Sequence, residues 1–185
     1  MGALFSGTVG PAPAVVLLAV ALTCAVTDLW KGKIYNAVTY PAMAIGVVLA
    51  VIEHGASGIY FALGGFAVGF FPAFVLFALG GMGGGDVKLL GAIGAIAGAI
   101  AATETLILAF LVGGIFALGK LAWHGQLFAT LGRTLRSIVG ALWPGLAPAK
   151  APEQKRLEVR FGVAICVALV ATLWDLRSGA LSSLL

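Results

Sequence analysis

Charged residues are what this chain has least of: Asp, Glu, Lys and Arg together make up 10% of it, against 61% hydrophobic residues and a mean hydropathy of +1.11. That balance excludes a soluble globular domain, because so apolar a surface would not stay wetted, and it places most of the chain in lipid. Cysteine is scarce as well. Cys24 and Cys166 both lie inside apolar runs with no Cys or His at ligand spacing, which excludes a zinc site or a disulfide framework and leaves two small buried hydrophobes. No Lys or Arg precedes the first apolar run, and the first charge in the chain is Asp28. The run is therefore expected to be a span and not a cleavable signal peptide. Neither an internal repeat nor a nucleic-acid motif occurs, so a pI of about 9.3 reports basic loops and not a nucleic-acid partner. No metal and no cofactor is expected.

Glycine, by contrast, is abundant, with 27 in the chain. Small residues let transmembrane helices approach closely where no water-driven force holds them together. Apolar stretches fall at about 11–27, 35–52, 58–80, 87–102, 105–123 and 159–174, each near the length that crosses a bilayer. The fold class is therefore all-α, a polytopic membrane protein of about six transmembrane helices forming one domain over residues 1–185. Between the fifth and sixth spans lies the longest connection, 124–158. There Leu127, Phe128, Leu131, Leu135, Ile138, Val139 and Leu142 share one helical face, with Arg133 and Arg136 away from its centre. This reads as an amphipathic helix in the cytoplasmic interface, followed by a linker holding Pro144, Pro148 and Pro152. Lys and Arg accumulate in cytoplasmic loops. With both termini outside, every one of them except Arg177 falls inside, while Glu53, His54 and Glu104 fall in outer loops.

Against that background two acids stand out. Asp28 closes the first apolar run and Asp86 opens the fourth, so the topology sets both on the cytoplasmic side at one depth. A carboxylate in or near hydrocarbon is costly, which makes an acid there a functional-site candidate. Two carboxylates suffice to hydrolyse a peptide bond without a metal or a covalent intermediate. One takes a proton from water while the other, protonated, hydrogen-bonds the scissile carbonyl, and because the pair cannot ionise together it holds one shared proton. The structural alternatives are an N-cap role for Asp86 ahead of Val87 and an interfacial pairing of Asp28 with Lys31 or Lys33. Asp86 ends the run Gly83-Gly84-Gly85, and glycines there are expected to let substrate pass close or to allow a turn with φ > 0. On that expectation Gly85→Val costs activity far more than stability, and Gly98→Ala, inside the next span, is milder.

These residues resemble a family. Asp28, Ile34 and Asn36 match the D-x5-I-x-N signature of type IV prepilin peptidases, and Gly83-Gly84-Gly85-Asp86-Val87-Lys88-Leu89 matches their G-x-G-D-x-K-L motif. Phe161-Gly162 is similar to the family's aromatic-glycine step at the start of the last span. Tyr35 stands where the family often has proline, as do Arg160 and Val163 beside that step, which alters backbone stiffness more than chemistry. The resemblance implies an intramembrane aspartyl endopeptidase of the bacterial cytoplasmic membrane, with Asp28 and Asp86 catalytic. It would cut basic leaders from prepilins or pilin-like precursors, after a glycine, at the cytoplasmic face, while the substrate's apolar stem stays in the bilayer. Gly83 and Gly85 would serve backbone approach and Asn36 would orient the site. Lys88 reads either as a snorkelling interfacial cation or as a group beside the dyad or against a substrate carboxylate. No paired C-x-x-C segment occurs, so the resemblance is to the short Flp/tad-type enzymes, peptidases without methyltransferase activity. Archaeal preflagellin peptidases are the nearest alternative, and a small proton- or cation-coupled transporter is the alternative from another class.

Overall fold

The computed structural model describes residues 9–79, 81–123 and 161–178. All regular structure among them is helical: α1 (Pro11–Lys31), α2 (Asn36–His54), α3 (Gly58–Ala78), α4 (Gly84–Trp123) and α5 (Phe161–Ser178), with a 3-10 turn at Gly55–Ser57. Four stretches are long and apolar enough to cross a membrane: Pro11–Lys31, Asn36–Ala78 across the 3-10 turn, Gly84–Gly119 and Phe161–Ser178. The chain divides into two compact units, 1–113 with 160–185, and 114–159. Of the second unit, the described part is the end of α4. The amphipathic segment and linker expected at 124–158 lie outside the described residues.

α1 begins with Pro11 at its first position, where a missing N–H costs nothing, and stops at Gly32, whose φ of 61° lies in the left-handed region that favours glycine. The Gly32 N–H closes the last turn on the Asp28 carbonyl at 2.9 Å. Pro13, Leu17, Ala21, Cys24 and Asp28 are buried along α1, a stripe stepping by three or four residues and so one face of a helix. That stripe packs along α5, whose inward residues include Gly162, Ile165, Leu169 and Thr172. The same periodicity that buries the apolar residues of α1 therefore turns Asp28 inward.

The first half of α4 is the centre of the bundle. Asp86, Val87 and every residue from Leu89 to Ile96 are buried, with α2 and α3 packed against it. Glycine makes the approach of α3 possible. A Cβ on Gly65 would run into the Gly94 carbonyl, and one on Gly94 into that of Gly65, so the two backbones touch where both side chains are absent. A Cβ on Gly46 of α2 would come within 2.9 Å of the Ala95 backbone.

Two expectations need correction. The break expected near residues 103–104 is helical, and the chain instead turns at Gly98, with φ 83° and ψ 179° inside α4. Glu104, read as an outer-loop charge, is consequently a half-buried helical residue. Charge does not mark the turn, which falls at a glycine packed against the Phe61 ring of α3, where a Cβ would collide with it. Only glycine suits that backbone, so Gly98 is no ordinary mid-span residue.

Candidate active site

Asp28 lies in the last turn of α1 and Asp86 in the first turn of α4. They are 7% and 9% exposed, and both line one cleft of about 370 Å³ with Gly32, Lys33, Ile34, Tyr35, Asn36 and the glycine run 83–85. The short turn between α1 and α2 thus faces the turn that opens α4, and each brings one carboxylate within electrostatic reach of the other. Cys24 and Cys166 are free and buried. Among the described residues no group of His, Cys, Asp and Glu is arranged to hold a metal ion.

Each carboxylate is held by a helix start. Gly83 accepts the Val87 N–H at 3.3 Å, and the Asp86 carboxylate accepts the Gly83 N–H. Asp86 is therefore not the N-cap of α4. It stands three residues further in and reaches back, as the acid of a capping box does. Asp28 reaches to another helix: its Oδ2 accepts the Gly162 N–H at 3.0 Å, a group in the first turn of α5 that has no partner within its own helix. Gly162 appears in the sequence within the aromatic-glycine step, yet nothing in the sequence pairs it with Asp28, which lies 134 residues away.

The glycines act differently from the expectation. Positive φ occurs among the described residues only at Gly32, Gly55 and Gly98, so Gly83 and Gly85 make no left-handed turn. Gly85 instead lets α4 rest on Ile34, since a Cβ there would lie 2.8 Å from the Ile34 Cβ. A Cβ on Gly83 would lie 2.9 Å from Asp86 Oδ2. The close approaches seen are those of the protein's own turn and its own carboxylate. Lys88 donates from Nζ to Asn36 Oδ1 at 2.8 Å and stands 5.1 Å from the centroid of the Tyr40 ring. It ties α4 to the start of α2 beside the cleft, while Asn36 lines the cleft itself.

A further buried acid, Asp175, went unread in the sequence. It is 7% exposed and within electrostatic reach of Glu104. It lies thirteen residues beyond Gly162 along α5, about 20 Å at the helical rise, and so belongs to the opposite end of the bundle.

The profile of the type IV leader peptidase family matches residues 15–118. The chain belongs to the type IV leader peptidase family. It is thereby an aspartic peptidase and a multi-pass membrane protein, from a family of the inner membrane whose substrates are prepilin-like. Neither the curated proteins nor the solved structures give a match. The matched stretch takes in both cleft aspartates and ends before α5.

Proposed function

We propose that this chain is an intramembrane endopeptidase that removes the basic leader from prepilin-type precursors at the cytoplasmic membrane face, with Asp28 and Asp86 as its catalytic pair. The observation carrying this reading is that two nearly buried carboxylates, from the ends of two different helices, line one cleft in a chain of this family. Such a pair holds one proton. The ionised member takes a proton from water as the oxygen adds to the scissile carbonyl carbon, and the protonated member gives its proton to the carbonyl oxygen. Collapse of the tetrahedral intermediate passes a proton to the departing nitrogen and breaks the C–N bond. Asn36 and the Lys88 amino group bound to it brace the rim of the cleft, and Gly83 and Gly85 let the walls close on the acids.

Six crossings, with both termini outside, fit this chemistry. The stretch Asn36–Ala78 is 43 residues long and interrupted at Gly55–Ser57, and Gly84–Gly119 contains the break at Gly98. Dividing each gives the count, and the bias of Lys and Arg sets the orientation. A single domain with peptidase activity alone is the simplest form of this reading, since no C-x-x-C pair occurs in the sequence. The test is co-expression of a prepilin with wild type, Asp28→Asn and Asp86→Asn, followed by mass measurement of the pilin. Each amide keeps the shape of the acid but cannot share its proton, so cleavage should vanish while membrane levels hold. Substantial processing by either variant would refute the pair.

A further inference from the structure

Asp28 has an awkward position. It occupies the last turn of α1, where the exposed carbonyl end of a helix opposes a negative charge. A compensating donor comes from α5, whose second residue brings its N–H to 3.0 Å from Asp28 Oδ2. Nothing larger than hydrogen fits between them. A Cβ on Gly162 would lie 2.9 Å from Oδ2, 3.1 Å from the Asp28 Cβ and 3.2 Å from its Cγ. Two of those three atoms belong to the stem of the side chain, so rotating the carboxylate does not relieve the contact.

The start of α5 is also held against retreat. The Phe161 ring packs on Phe110 with centroids 5.5 Å apart and presses on Gly113, where a Cβ would collide with it. The Gly162 amide is thus seated between α1 and the second half of α4. From these contacts we infer that Gly162 is a positioning residue for the peptidase reaction: its amide fixes the Asp28 carboxylate, and its missing side chain is what allows the contact. The inference rests on the assignment of Asp28 to the catalytic pair. Its consequence is that α5 belongs to the active site although it supplies no reacting group.

The test uses the full chain in detergent and a synthetic precursor made of a basic leader, a glycine and an apolar stem. Gly162→Ala should lower kcat about a hundredfold, as expected for a reacting group displaced by a fraction of an ångström to one ångström. KM should stay within about twofold, since Gly162 touches Asp28 and is not among the residues that line the cleft. Gly64→Ala, where an added Cβ meets nothing within 4 Å, should change neither. Wild-type kcat in Gly162→Ala, or a loss confined to KM, overturns the inference. Thermal melts read the same contact without substrate. The loss of melting temperature caused by Gly162→Ala should shrink in an Asp28→Gly background, where the side chain it strikes is gone, and an undiminished loss there also overturns it. Asp28→Asn separates the two levels. Cleavage by that variant refutes the catalytic role of Asp28, whereas an inactive Asp28→Asn beside a fully active Gly162→Ala refutes only the positioning role.

Discussion

Alanine at Gly85 probes how the cleft is built. The added Cβ would sit 2.8 Å from the Ile34 Cβ, 3.4 Å from the Ile34 carbonyl oxygen and 3.6 Å from its Cα. Non-bonded carbons settle about 3.5–4.0 Å apart, so the shortfall is roughly 1 Å. The Ile34 Cβ is a branch point next to the backbone and cannot swing aside as the tip of a long side chain would. The first turn of α4 and the turn before α2 must therefore separate. Overpacking of this kind costs about 1–3 kcal/mol, while replacing glycine by alanine within a helix returns about 1 kcal/mol. The net loss of stability should be about 0–2 kcal/mol, visible as a modest fall in melting temperature in detergent. Activity should suffer more, because the parting segments carry Asp86 on one side and Asn36 on the other, and a misplacement of about 1 Å costs about a hundredfold in rate. Valine should be worse on both counts, contrary to the sequence-based expectation that stability is spared, because the neighbour of Gly85 is the protein itself. Cleavage by Gly85→Ala within about twofold of wild type would refute the reasoning, by showing that Ile34 yields without disturbing the acids.

Gly98→Ala should destabilise the protein by about 1–3 kcal/mol in melts, since its backbone conformation is one only glycine takes readily and the Phe61 ring occupies the space of its Cβ; an unchanged melting temperature would show that α4 straightens at no cost. Lys88→Met keeps the stem but removes the donor to Asn36 Oδ1, and should cost about 0.5–1.5 kcal/mol of stability. In a double-mutant cycle Lys88→Met and Asn36→Ala should be non-additive, and strict additivity would show the bond to be idle. Single cysteines replacing Lys33 and Glu53, in a background lacking Cys24 and Cys166, should react with impermeant thiol reagents from opposite sides of the membrane, Lys33 from the cytoplasm; labelling from the same side would overturn the topology.

The ends of α1, α2, α3 and α5 lie close to the expected limits because glycine, proline and the charged residues at them punctuate apolar runs unambiguously. Asp28 and Asp86 stood out for the same reason, as charges at the margins of such runs, and the motifs around them tied both to Asn36 and Lys88. What did not show was tertiary. Gly91, Gly94 and Gly98 look alike within one apolar run and all pack against α3, yet only Gly98 takes a positive φ, and it does so against the Phe61 ring. Gly85 reads as a residue that admits something, but the sequence does not say that the thing admitted is Ile34. Gly162 lies so far along the chain from Asp28 that no local pattern could join them.

The two acids meet their surroundings unequally. Asp86 stands at the amino end of its own helix, where a carboxylate is at home, and takes its hydrogen bond from Gly83, three residues away. That bond lies within the turn that carries it. Asp28 stands at the carbonyl end of α1 and depends on α5 for the Gly162 amide. The stretch that matches the family profile contains both carboxylates and Gly83, but not Gly162, whose amide bonds Asp28. On the proposed reading, the α1–α5 contact, which would pass for ordinary helix packing by its apolar residues alone, also brings the Gly162 amide to the first acid.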